Sequence, residues 1–161
     1  MTSPSTNDAA ILQCLQDEYA MMSALSTLLS GEQAALVGGD IEALKRSSAN
    51  KAELLSSISI WEKKRVALLS AAAYSNDLAG MRAYLAAHAE ASTIQLWEDL
   101  LLVSTEAKEK NRSNGLLISR RLSQNQAALG VFQQGGSAGS LYGPNGQSTI
   151  KAPSGKGMVA S

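Results

Sequence analysis

The chain has 161 residues, 45% of them hydrophobic and only 4% aromatic, a formal net charge of zero, and a single cysteine. That length makes about one ordinary domain, and so few aromatics exclude a thick globular core in favour of Leu, Ile, Met and Ala packed along helices. No apolar run approaches the roughly 20 residues needed to cross a bilayer, which excludes membrane insertion, and Cys14 has no second cysteine to pair with.

The first predicted helix begins at Ser5, whose hydroxyl is placed to cap the amide of Asp8. Leu15, Met22, Leu29 and Leu36 recur every seven residues, flanked by Ile11 and Leu25, and such a stripe faces one partner helix. Gly38-Gly39 ends it. Asp40 then caps a second helix whose stripe runs through Ile41, Leu44, Leu55, Ile58, Leu68 and Leu69, interrupted by Ser48, Lys51 and Arg65. A link this short makes an antiparallel hairpin, roughly 50 Å long at 1.5 Å per residue.

Tyr74-Ser75-Asn76-Asp77 is the next break, because Ser, Asn and Asp cap helices better than they continue them. From Leu78 to about Gln134 one further helical region is expected, weakened at Gly80 and Gly115 by about 1 kcal/mol each. Ile94, Leu96, Trp97, Leu100, Leu101 and Val103 make its first half apolar. Ser104, Lys108, Asn111 and Asn114 then interrupt the seams, and Leu117, Ile118, Leu122, Leu129 and Phe132 restore an apolar face. The polar stretch separates that last face from the main bundle, so it reads as a surface for a partner. The expected architecture is all-α, with helices over about residues 6–37, 40–73 and 77–133 in a domain of residues 1–134. Residues 135–161 form a Gly/Ser-rich tail carrying Leu141-Tyr142-Gly143-Pro144, which reads as a flexible arm with a short apolar hook.

Charge divides along the chain: all 14 acids precede Lys110, whereas Lys110, Arg112, Arg120, Arg121, Lys151 and Lys156 follow with no acid among them. The two ends therefore attract different partners, or each other. The opening Met-Thr-Ser-Pro-Ser-Thr-Asn-Asp has neither a basic region nor a following apolar block, so no signal peptide is read there and a cytoplasmic protein is expected.

Chemistry-bearing constellations are sparse. His88 is the only histidine, without the further ligands a metal site needs, and Cys14 has no neighbouring base to make a thiolate. Ser154-Gly155-Lys156-Gly157 fails as a phosphate loop, because Ile150 replaces its first glycine and Gly157 its Ser or Thr. Asp17-Glu18 and Glu98-Asp99 read as solvated acids on helix surfaces, and Lys63-Lys64-Arg65 as a solvated basic face with no aromatic interleaving for nucleic acid. Trp61 and Trp97 read as packing or interface anchors. Neither an enzyme, a cofactor nor a nucleic-acid partner is expected. The seams themselves are also compatible with a structural coiled-coil adaptor or a secreted helical rod or filament subunit.

Three short runs carry a resemblance: Asn114-Gly115-Leu116-Leu117, Asn125-Gln126-Ala127-Ala128-Leu129, and Leu141-Tyr142-Gly143-Pro144-Asn145-Gly146-Gln147. Together they closely resemble the C-terminal signature of the FlgN family of flagellar export chaperones, and Gly39-Asp40 followed by Leu44, Lys51, Leu54-Leu55 and Arg65 is similar to that family's second helix. The resemblance implies a small cytoplasmic, non-catalytic chaperone of flagellar type III export. Such a chaperone binds the C-terminal helical regions of the hook-filament junction proteins, of the FlgK and FlgL type, and prevents their premature assembly. Carried onto this chain, the client-binding residues are Asn114, Leu117, Ile118, Leu122, Leu129 and Phe132. Leu141 and Tyr142 are then the docking element for the cytoplasmic domain of the export-gate protein FlhA. Pro144 and Asn145 stand where relatives also show Ala-Asp, and the tail after Gln147 follows no family pattern.

Overall fold

A computed structural model describes residues 5–135, which form four helices and no strand. α1 spans Thr6–Gly38, α2 Ile41–Ala71, α3 Leu78–His88 and α4 Ala91–Gly135. The all-α expectation therefore holds, with one correction: the third helical region is two helices, broken at Ala89-Glu90.

Each junction has a local cause. Ser5 and Asp8 form a reciprocal capping box, each side chain accepting from the other's backbone N–H at 3.1 Å, which satisfies two otherwise orphaned donors. Gly39 adopts the left-handed conformation (φ 73°) that a side chain would resist, and closes α1. Asp40 follows at once and accepts from the Ala43 amide at 3.0 Å to open α2. Asp77 caps α3 by accepting from Gly80 N–H at 2.7 Å. Gly80 is buried here, and a Cβ at this position would overlap the Ser75 carbonyl oxygen. It is the residue that lets the preceding loop cross the first turn of α3, rather than a weak point in a longer helix.

The contacts divide the chain after Ile118 into two units. In the first, α1 and α2 pack antiparallel in a heptad register. Glu18 meets Arg65, Leu25 shares a cluster with Ile58, and Glu32 meets Lys51, so contacts step by seven along each helix in opposite directions. α4 lies beside α1 and runs parallel to it: Trp97 and Leu100 join Ile11 and Leu15, Ala107 joins Leu25 and Leu29, and Asn114 reaches Leu29 and Glu32. Short α3 closes one end through Met81, Tyr84 and Leu85, which join Leu69 in the larger apolar cluster. In the second unit, α4 continues from Ser119.

Candidate functional site

The partner-binding residues expected from sequence all lie on α4 or beyond it, and the structure treats them differently. Asn114 is 1% exposed, and its amide nitrogen donates to the Leu29 carbonyl at 2.9 Å and to Glu32 Oε1 at 3.0 Å. Its assignment to a free client face is therefore corrected: the side chain already fills its donor capacity within the bundle, as a buried amide must. Leu117 is half-buried, and Ile118, at 44%, is exposed.

Within the second unit the apolar side chains have no such cover. Leu122 is 57% exposed, Leu129 62% and Phe132 79%. Their spacings of seven and three place them on one face of a helix. Burying three such side chains corresponds to about 5–9 kcal/mol of gross apolar transfer, from which ordering and association costs are subtracted. Sequence reading overlooked Val131, 69% exposed, which lies off that face. Leu141 and Tyr142 lie outside the described residues.

The polar stretch of α4 is not a spacer. Lys110 Nζ donates to Ser26 Oγ at 2.8 Å, and Ala107 is 3% exposed within the second apolar cluster. The bundle thus extends through Asn114, and its inner seam is partly ionic. Glu18, read from sequence as a solvated surface acid, is 4% exposed and holds Arg65 through two hydrogen bonds of 2.7 and 3.3 Å. Arg65, read as part of a solvated basic face, also lies 5.0 Å from the centre of the Trp97 ring. Burial pushes the Glu18 carboxyl above its ordinary value, against the opposing pull of Arg65. Lys51 Nζ approaches Glu32 Oε1 at 3.5 Å. The signal for these pairs was present: Lys51 and Arg65 interrupt the α2 seam at positions that the Gly39-Asp40 corner folds opposite Glu32 and Glu18.

Cys14 is fully buried and its thiol pKa is raised by that burial, so the thiolate is disfavoured. His88 stacks on Tyr84 with ring centres 4.8 Å apart and bonds Tyr74 Oη at 3.2 Å. Among the described residues, no three or more His, Cys, Asp or Glu side chains are grouped to hold a metal ion. No helix among them is long and apolar enough to cross a membrane.

Comparison with curated proteins and with solved structures finds no match. The family model described as FlgN protein matches residues 1–150, which takes in every described helix and the Leu141-Tyr142 element. A match of that extent, on a chain whose described residues form four helices and no strand, places this protein in the FlgN family.

Proposed function

We propose that this protein binds the C-terminal helical regions of hook-filament junction proteins of the FlgK and FlgL type, and carries them to the export gate. FlgN proteins are flagellar export chaperones, and the identity of the clients and of the gate contact is the reading added here. The observation that carries it is the apolar face of Leu122, Leu129 and Phe132, all exposed on α4. An amphipathic client helix seats on such a face through anchors spaced as these are, and Leu117 and Ile118 extend the proposed contact. The absence of any acid from Lys110 onward favours a client or gate with negative potential. The gate contact is assigned to Leu141 and Tyr142, a tyrosine being suited to bury its ring while keeping a polar partner for its hydroxyl. The cytoplasm is the compartment in which this exchange occurs.

The test is calorimetry of the full chain with the C-terminal helical region of a FlgK-type protein, for the wild type and for Leu122→Asp/Leu129→Asp. Each substitution drives a charge into an apolar contact at a cost of a few kcal/mol, so binding is expected to be lost while the thermal melt is unchanged. Normal binding by the double variant would remove this face from the client site. Light scattering separates the structural alternative, because a filament subunit polymerises with concentration whereas a chaperone stays small until client is added.

A further inference from the structure

A concave surface lies within the first unit, between the start of α1, the end of α3 and the start of α4. It is a groove of about 1060 Å³. Its floor is apolar, including Leu12, Leu85 and Leu96, and its charged lining residues are Asp8, Glu90 and Asp99, with no lysine or arginine among the described residues that line it.

The charged side chains on these walls carry one sign. Gln13 and Gln95 each donate one amide N–H, to Asp17 and Asp99 at 2.9 Å, and each amide keeps its second N–H and its Oε1 carbonyl. Asp8 is held ionised, its pKa lowered first by the Tyr84 hydroxyl and then by Ser5. His88 contributes an exposed ring to the same wall, stacked on the buried Tyr84 ring with centres 4.8 Å apart. Carboxylates above an apolar floor are complemented by a cation rich in N–H donors, attached to enough apolar surface to cover that floor.

We propose that this groove binds a protein segment presenting arginine or lysine beside apolar side chains. The site is distinct from the α4 residues assigned to the junction-protein client, and does not depend on that assignment. Carboxylates on the groove wall steer such a segment and fix its register, and the floor supplies burial.

Fluorescence anisotropy on the full chain tests this with a labelled peptide alternating arginine and leucine, against the same peptide carrying citrulline in place of arginine. The arginine peptide should bind at least about tenfold more tightly than its uncharged counterpart. Glu90→Gln/Asp99→Asn should weaken it by a similar factor while leaving junction-protein binding unchanged. Two exposed acids elsewhere, in Glu53→Gln/Glu106→Gln, should have no effect; an equal loss there would mean diffuse charge attraction and overturn the site. Equal binding of the two peptides would overturn it as well. If Lys151→Ala/Lys156→Ala tightened peptide binding tenfold, the occupant would be the chain's own C-terminal segment, and a separate partner would be ruled out.

Discussion

Replacing Arg65 by methionine should reveal how much of the bundle rests on its buried ion pair. Glu18 is 4% exposed, and both of its carboxylate oxygens bond Arg65. Removing the guanidinium leaves a buried charge with its principal partner gone, and such losses cost about 3–5 kcal/mol. The cation-π contact with Trp97 is lost as well, although the methionine stem recovers part of the packing. At roughly 2–4 °C per kcal/mol for a chain of this size, the melting temperature should fall by about 10 °C. Pairing Arg65→Met with Glu18→Leu removes both charges and should restore most of the loss, because a buried pair and its apolar isostere are often nearly equal in stability.

The pH dependence follows from the same group. The Glu18 carboxyl titrates above its ordinary value of 4.5 in the folded state, because desolvation outweighs Arg65. The folded protein therefore holds that proton more tightly than the unfolded chain. Ionised Glu18 costs stability as pH rises above 4.5, and acidification returns it. Without Arg65 the pKa rises further, so the deficit of Arg65→Met relative to wild type should shrink as pH falls from 7 towards 5. Urea denaturation followed by circular dichroism at several pH values reads all of this. A deficit under about 1 kcal/mol at pH 7, or a double variant as unstable as the two single losses added, would mean that the pair is solvated rather than buried.

Asn114→Ala should destabilise the bundle by about 1–3 kcal/mol, because it leaves buried acceptors on Leu29 and Glu32 short of a donor; a melt identical to wild type would contradict its burial. Gly80→Ala should lower the melting temperature by several degrees through its clash with Ser75, whereas Gly115→Ala, which meets nothing within 4 Å, should be neutral or stabilising. Tyr142→Ala should weaken binding to the FlhA cytoplasmic domain at least about tenfold without changing client affinity. Equal gate binding by the variant would end the docking assignment, and lost client binding would join the two elements into one site.

Local chemistry made much of this fold legible. The Ser5-Asp8 box, the Gly39 turn and the Asp40 cap are each decided by a few neighbouring residues, and the seven-residue stripes of α1 follow from burial on one helical side. The break at Ala89-Glu90 was hidden because Ala, His and Glu tolerate a helix and no Gly or Pro marks the site. It is set by tertiary packing: Met81, Tyr84 and Leu85 before the break and Trp97 and Leu100 after it all join one apolar cluster. The polar run from Ser104 to Asn114 was misread for a related reason. Periodicity scores a polar residue in a seam as an interruption, yet Lys110 and Asn114 find Ser26 and Glu32 across the bundle. Leu122, Leu129 and Phe132 were legible as one apolar face from their helical spacing, although the polar stretch read as separating them packs within the bundle.

The most direct test of the chaperone account is to titrate a FlgK-type and a FlgL-type protein, each intact and with its C-terminal helical region deleted, into the full-length chain by calorimetry. The account predicts saturable binding to the intact proteins, none to the deleted ones, and loss of binding in Leu122→Asp/Leu129→Asp. Absence of binding to both intact proteins, or binding that survives deletion of their C-terminal helices, would contradict it.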